Sequence, residues 1–219
     1  MWSSEITNMI IKGIWETLYM TLASTFFGYV LGLPLGIILA VTDKEGIRPN
    51  WGIYKLLDVI MNVLRSVPFL ILLILLIPFT RVLIGKSYGS TATIVPLVVS
   101  AAPFIARMVE SSIKEVDHGV IEAAESMGAS TFQIITRVLL VEARTSLTVG
   151  VTIAIGTILG YSAMAGAVGG GGLGDIAVRY GYYRYQTDIM FATVILLIIL
   201  VQVFQSAGMK LALRLDKRK

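Results

Sequence analysis

The sequence predicts an all-α membrane protein of five transmembrane helices, with one short helix held at the cytoplasmic face. Three observations lead there. The 219 residues are 56% hydrophobic and only 15% charged, with a mean hydropathy of +0.81. Soluble domains carry roughly 25% charged residues, so a chain this apolar lacks the polar surface to cover itself in water. Five stretches are long and apolar enough to span a bilayer, which takes about 20 residues at 1.5 Å rise each. The basic residues are also distributed unevenly between alternate loops.

The stretches run over about 18–42, 56–79, 91–113, 138–168 and 188–209. Residues 1–17 precede them as an extracytoplasmic segment. That segment lacks the basic region and small-residue cleavage site of a signal peptide, so it is expected to stay in the mature protein. The second and fifth spans are the most aliphatic, notably Leu70 to Phe79 and Ile195 to Val201. The first, third and fourth contain Gly, Ser, Thr and Pro, which suits helices packed on protein. Pro34 and Pro68 fall inside spans and are expected to bend them. Gly28, Gly32 and Gly36 recur every four residues, as do Gly156 and Gly160, so each set lines one helix face and permits close approach.

Placing the N-terminus outside puts five basic residues in outer segments: Lys12, Arg81, Lys86, Arg179 and Arg184. Twelve then lie inside: Lys44, Arg48, Lys55, Arg107, Lys114, Arg137, Arg144, Lys210, Arg214, Lys217, Arg218 and Lys219. This asymmetry puts the C-terminus in the cytoplasm. The basic tail at 210–219 then anchors the last helix at the lipid surface rather than binding nucleic acid.

The inner loop at 114–137 holds the least ordinary sequence. It runs Asp117-His118-Gly119-Val120-Ile121-Glu122-Ala123-Ala124-Glu125-Ser126-Met127-Gly128. Asp117 suits an N-cap and Gly128 a left-handed stop, leaving a helix of about ten residues, too short to span. Ser130 and Gln133 have capping-box spacing for a second helix.

Glu122-Ala123-Ala124, Gly128 after three more residues, and Val138-x-Leu140 resemble the signature of ABC importer permeases of the binding-protein-dependent type I family. Val138 stands for the usual Ile and Val141 for the usual Pro. The stretch from Gly160-Tyr161-Ser162-Ala163-Met164 to Gly174-Asp175, then Arg179-Tyr180-Gly181-Tyr182, is similar to methionine importer permeases. So are Leu18 to Leu22, Gly32-Leu33-Pro34-Leu35-Gly36 and Arg65-Ser66-Val67-Pro68-Phe69. The resemblance implies a type I permease fold, a homodimer with the pore at its interface, and translocation of methionine, D and L, into a prokaryotic cytoplasm. It also implies two ATPase subunits that bind ATP and Mg at the inner face, a substrate-binding lipoprotein outside, and no cofactor on this chain. Glu122, Ala123, Ala124 and Gly128 become the ATPase-coupling helix, in which small Ala side chains are expected to let the helix sit deep against its partner.

Intramembrane charges are costly and want partners. Arg65 and Glu110, with Asp58 and Arg107, are expected to form a charge network near the cytoplasmic mouth. Met164, a flexible apolar side chain beside Ala163 and Gly166, is the candidate pore gate, its small neighbours leaving it room to move. Tyr180, Tyr182, Tyr183 and Tyr185 suit an outer interfacial belt that touches the lipoprotein.

Other chemistry is disfavoured. Gly169-x-Gly171-x-x-Gly174 follows a membrane helix rather than a strand, so it does not fit a dinucleotide fingerprint. Gly85-Lys86-Ser87 lacks the first phosphate-loop glycine, since Thr80 stands there, so an ATP site must be borrowed. With no cysteine and one histidine, His118, no metal site is expected. Ser162 lacks the second glycine of a nucleophile elbow. The alternatives are a permease for another amino acid or small peptide, a secondary amino acid carrier, or a non-transporting scaffold.

Overall fold

The structure is a computed structural model that describes residues 4–216. Residues 1–3 of the N-terminal segment and the tail cations Lys217, Arg218 and Lys219 lie outside the described residues. Every regular element described is helical. Helix α1 is Ser4–Thr42, followed by α2 Trp51–Ser66, α3 Phe69–Leu75, α4 Ile77–Ile84 and α5 Ser90–Lys114. The loop after α5 holds α6 His118–Ser126 and α7 Thr131–Gln133. A π-helical stretch at Ile134–Leu139 and α8 Leu140–Glu142 lead into α9 Arg144–Ala165. A 3-10 turn at Gly166–Val168, α10 Gly172–Ile176 and a second π-helical stretch at Ala177–Tyr182 precede α11 Thr187–Leu215.

Four helical stretches are long and apolar enough to cross a bilayer: Ser4–Thr42, Ser90–Lys114, Arg144–Tyr182 and Thr187–Leu215. The expected second span, 56–79, is not one continuous helix. It is divided among α2, α3 and α4, with α2 and α3 bent by 98°. Pro68 is the cause. It carries no N–H, and its ring pushes Val67 into an extended conformation at φ −79° and ψ 122°. Pro34, by contrast, lies within an uninterrupted α1.

The core is the contact of α1 and α5, joined by α9. Gly28, Gly32 and Gly36 form the face of α1 that meets α5, so they serve packing within this chain. A Cβ built on Gly32 lies 2.7 Å from the Ala102 carbonyl oxygen and 2.8 Å from the Ile105 Cβ. Backbones this close exclude lipid along the whole seam. Ile105, Val109 and Leu97 on α5 and Met20 on α1 are fully buried there. Helix α11 packs on α9, where Gly208 meets Thr152, while most of its aliphatic side chains stay exposed.

The glycine-rich stretch after α9 is tied back to both core helices. The Gly172 N–H donates to the Glu16 carboxylate at 2.8 Å and the Leu173 N–H to the Thr17 hydroxyl at 2.9 Å. The Gly89 N–H donates to the Gly169 carbonyl at 2.9 Å. Non-helical backbone at membrane depth needs such cover.

Overpacking the seam is expected to destabilise the protein, whereas filling open space is not. Gly36→Val should lower the melting temperature of the detergent-solubilised protein by roughly 3–10 °C. Gly160→Ala, where nothing lies within 4 Å of an added Cβ, should shift it by less than about 2 °C. Scanning fluorimetry on both variants checks this.

Candidate functional site: the short capped helix and its charge clamp

Helix α6 is held by caps at both ends. The Asp117 carboxylate accepts from the Gly119 N–H at 2.8 Å. At the other end the Ala129 N–H donates to the Ala124 carbonyl and the Gly128 N–H to the Glu125 carbonyl, at 3.1 and 2.9 Å. That pairing is a Schellman motif, and it requires the left-handed φ of +78° found at Gly128. The Ser130–Gln133 capping box follows with both of its hydrogen bonds formed. Both caps match their sequence signals.

The burial pattern divides α6 into two faces. Ile121 and Ala124 are buried against Ile134 and Leu139 of the π-helical stretch. Glu122, Ala123, Glu125 and Met127 face outward, Met127 being 81% exposed. The expected role of the small residues is therefore corrected for Ala124: it seats the helix on its own chain, and only Ala123 is free for a partner. Glu122 is 3.9 Å from His118 and otherwise exposed. Phe132 is exposed too, and Arg48 donates to the Thr131 hydroxyl at 3.0 Å, tying the loop after α1 to this segment.

A chain of charges joins the C-terminal ends of α1 and α5 to the N-terminal half of α2. Lys114 bridges Asp43 and Glu110, each at 2.7 Å. Arg107 pairs with Glu110 at 2.7 Å and with Asp58. The Tyr54 hydroxyl donates to Glu110 at 3.3 Å, and Arg107 reaches Asn62 at 3.1 Å. Asp58, Arg107 and Glu110 thus come together, but Arg65 does not join them. It is exposed and has no ion pair or hydrogen bond among the described residues. The reason is helical geometry: Arg65 is seven residues beyond Asp58, about 10 Å along α2. Sequence reasoning missed Asp43, Tyr54 and Lys114. Lys114 was detectable, because it stands four residues after Glu110 on one helix face.

The Lys114 ammonium donates a hydrogen bond to Asp43 and holds its carboxyl below the usual carboxylate range. A depressed carboxyl pKa stabilises the fold above the unfolded value, about 3.9 for Asp, and that contribution is lost as pH falls through the folded value.

The candidate gate residues sit near the C-terminal end of α9. Met164 is 54% exposed. Ala163 and Gly166 do not leave it room as expected, since both are occupied by the backbone of Gly174 and Asp175 on α10. Tyr182, Tyr183 and Tyr185 are exposed beyond α10.

A family model for the inner membrane component of binding-protein-dependent transport systems matches residues 32–218. The chain belongs to that family. Its fold is the type I ABC permease fold. A probable D-methionine transport system permease protein of Vibrio cholerae, MetI, is 48% identical over 217 residues, spanning 99% of this chain and 96% of the relative. The D-methionine transport system permease protein of Escherichia coli K12 is 50% identical over 164 residues, 75% of this chain and 76% of the relative. A solved structure of the MetNI methionine ABC transporter in inward-facing conformations superposes with a TM-score of 0.97. Its identity is 48%, and the match covers 99% of this chain and 100% of that one. A solved amino acid ABC transporter, 22% identical with a TM-score of 0.73, shares the permease fold.

Two outcomes are expected for the clamp. In a double-mutant cycle, Asp58→Asn and Arg107→Gln should couple by about 1–3 kcal/mol, while Arg65→Gln and Glu110→Gln should add within about 0.5 kcal/mol. The melting-temperature gap between wild type and Asp43→Asn should be constant from about pH 7 to 5 and should close below about pH 4.

Proposed function

We propose that this chain is the pore-forming subunit of an ATP-driven importer that carries methionine, D and L, into the prokaryotic cytoplasm. What supports the substrate is the likeness to methionine permeases along nearly the entire chain. The single observation that carries the mechanism is α6, a capped helix with one face seated on its own chain and the other, led by Glu122, exposed.

Two copies enclose the pore, each crossing the membrane five times with the broken α2–α3 segment as the second span. The N-terminus is outside and the C-terminus inside. Two ATPase subunits bind ATP and Mg and receive the exposed face of α6 from residues 122–128. An extracytoplasmic lipoprotein delivers methionine beside Tyr180 to Tyr185. Closure of the ATPase pair draws the two α6 helices together and turns the pore outward, and hydrolysis returns it inward. The charge clamp fixes the inner end of α5 to α1 and α2, so a pull on α6 moves that end as one piece. Met164 closes the pore between cycles. This subunit makes and breaks no covalent bond.

Gly128→Val places a β-branched residue at φ +78° and dismantles the Schellman turn, while Glu122→Lys reverses the exposed charge. Each variant should insert normally yet lose methionine uptake by at least about tenfold, the effect of losing one to two kcal/mol of coupling. Uptake is read in proteoliposomes holding permease, ATPase and lipoprotein. Uptake at wild-type speed by either variant, or by wild-type permease without ATP, contradicts the docking role.

A further inference from the structure

Arg65 stands where the second helical stretch breaks. The depth of that break follows from its neighbours. Helix α2 runs antiparallel to α5: Tyr54 meets Glu110, Asp58 meets Arg107, and Met61 packs with Ala106. Arg107 is about 10 Å from the inner end of α5. Past the break, Phe69 stacks on Tyr161 of α9, ring centroids 4.6 Å apart and nearly parallel. Tyr161 is about 25 Å along α9 from Arg144. The break therefore lies between these two levels, inside the hydrocarbon depth.

Three features there are costly in lipid. Arg65 is exposed and unpaired among the described residues. Ser66 and Pro68 are exposed too, so the non-helical backbone is uncovered by its own chain. Pro68 has no N–H, which leaves the Leu64 carbonyl without its helical donor. A bare guanidinium and a free carbonyl at this depth belong in a water-filled cavity rather than against acyl chains. Tyr161 places the break beside the exposed face of α9, where Thr157, Gly160 and Met164 follow at helical spacing, and Gly160 has nothing within 4 Å of an added Cβ.

We propose that this break is a substrate waypoint in the pore that takes the head group of a zwitterionic α-amino acid with an apolar side chain. Arg65 presents its planar fork of donors to the carboxylate. The C-terminal end of α2, with the Leu64 carbonyl, receives the α-ammonium. The side chain lies on the open face at Gly160 and Met164. This rests on the importer reading above and adds a binding residue to it.

The test uses the complete complex in proteoliposomes with methionine as the probe. Arg65→Gln should slow uptake about tenfold or more, the range for losing a hydrogen bond to a charged group. Its ATPase rate, stimulated by loaded lipoprotein, should stay within about twofold of wild type, and Arg65→Lys, which keeps the charge but not the fork, should recover uptake only in part. A second measurement leaves Arg65 in place. The chain has no cysteine, so Ser66→Cys gives a single thiol at the break. A membrane-impermeant thiol reagent should label it, and millimolar methionine should slow the labelling.

Absence of methionine uptake by wild type strikes the importer reading itself. With wild-type uptake intact, three results overturn the waypoint: Arg65→Gln running within about twofold of wild type, parallel loss of ATPase and uptake, or a thiol at 66 that is unlabelled or unprotected.

Discussion

Everything in this fold answers one constraint: at membrane depth, no backbone N–H or carbonyl can be left facing lipid unpaired. A permease cannot be a set of plain helices, because it must bend and must line a polar path. All but one of the interruptions therefore have their own cover. The stretch after α9 has three side chains and a backbone N–H from α1, α5 and the α5 approach: Glu16, Thr17, Thr93 and the Gly89 N–H. The buried hydroxyls of Thr17 and Thr25 bond back to carbonyls four residues earlier on α1. The π-helical stretches keep the ladder closed while they shift its phase. The break at Pro68 is the exception, and it sits beside the exposed face of α9.

The same accounting explains why α6 is so heavily capped. At nine residues, α6 is too short to persist alone. Its stability comes from Asp117, the Gly128 turn and the burial of Ile121 and Ala124. The fully exposed remainder is therefore presented on a rigid seat. The charge clamp does similar work one layer deeper. Glu110 is 5% exposed, and such a carboxylate is tolerable only because Arg107, Lys114 and Tyr54 all donate to it. Removing both cations would leave a buried charge unpaired. The clamp thus fixes one arrangement of α1, α2 and α5 more than it adds stability.

The parts legible in the sequence were those set by local rules. Asp117, Gly128 and the Ser130–Gln133 pair each act within a few residues, and each stands where its spacing places it. The apolar stretches were legible because length and composition alone define them. Pro68 was read as a bend and proved a break, since the 98° angle depends on what α3 packs against, which spacing does not carry. Arg65 was drawn into the clamp because charges inside one span look alike in sequence. Only the rise per residue along α2, together with the neighbours of Asp58, separates them. Ala163 and Gly166 looked like free space around Met164, yet α10 fills that space from ten residues downstream.

The strength of a site like that at Arg65 has to be bounded from both sides. A guanidinium buried in protein would hold a carboxylate tightly, because low dielectric amplifies the pair. A pore residue that bound so strongly would trap its cargo, since conduction requires binding weak enough to leave. Arg65 is exposed, so at the proposed waypoint its charge faces water. Solvent weakens the contact below that of a buried pair and leaves it in the range of a hydrogen bond to a charged group. Orientation is retained nonetheless, because the guanidinium fork sets geometry as well as energy. An exposed arginine at a helix break is therefore better suited to passing a zwitterion than a buried one, and a lysine would keep the attraction while losing the orientation.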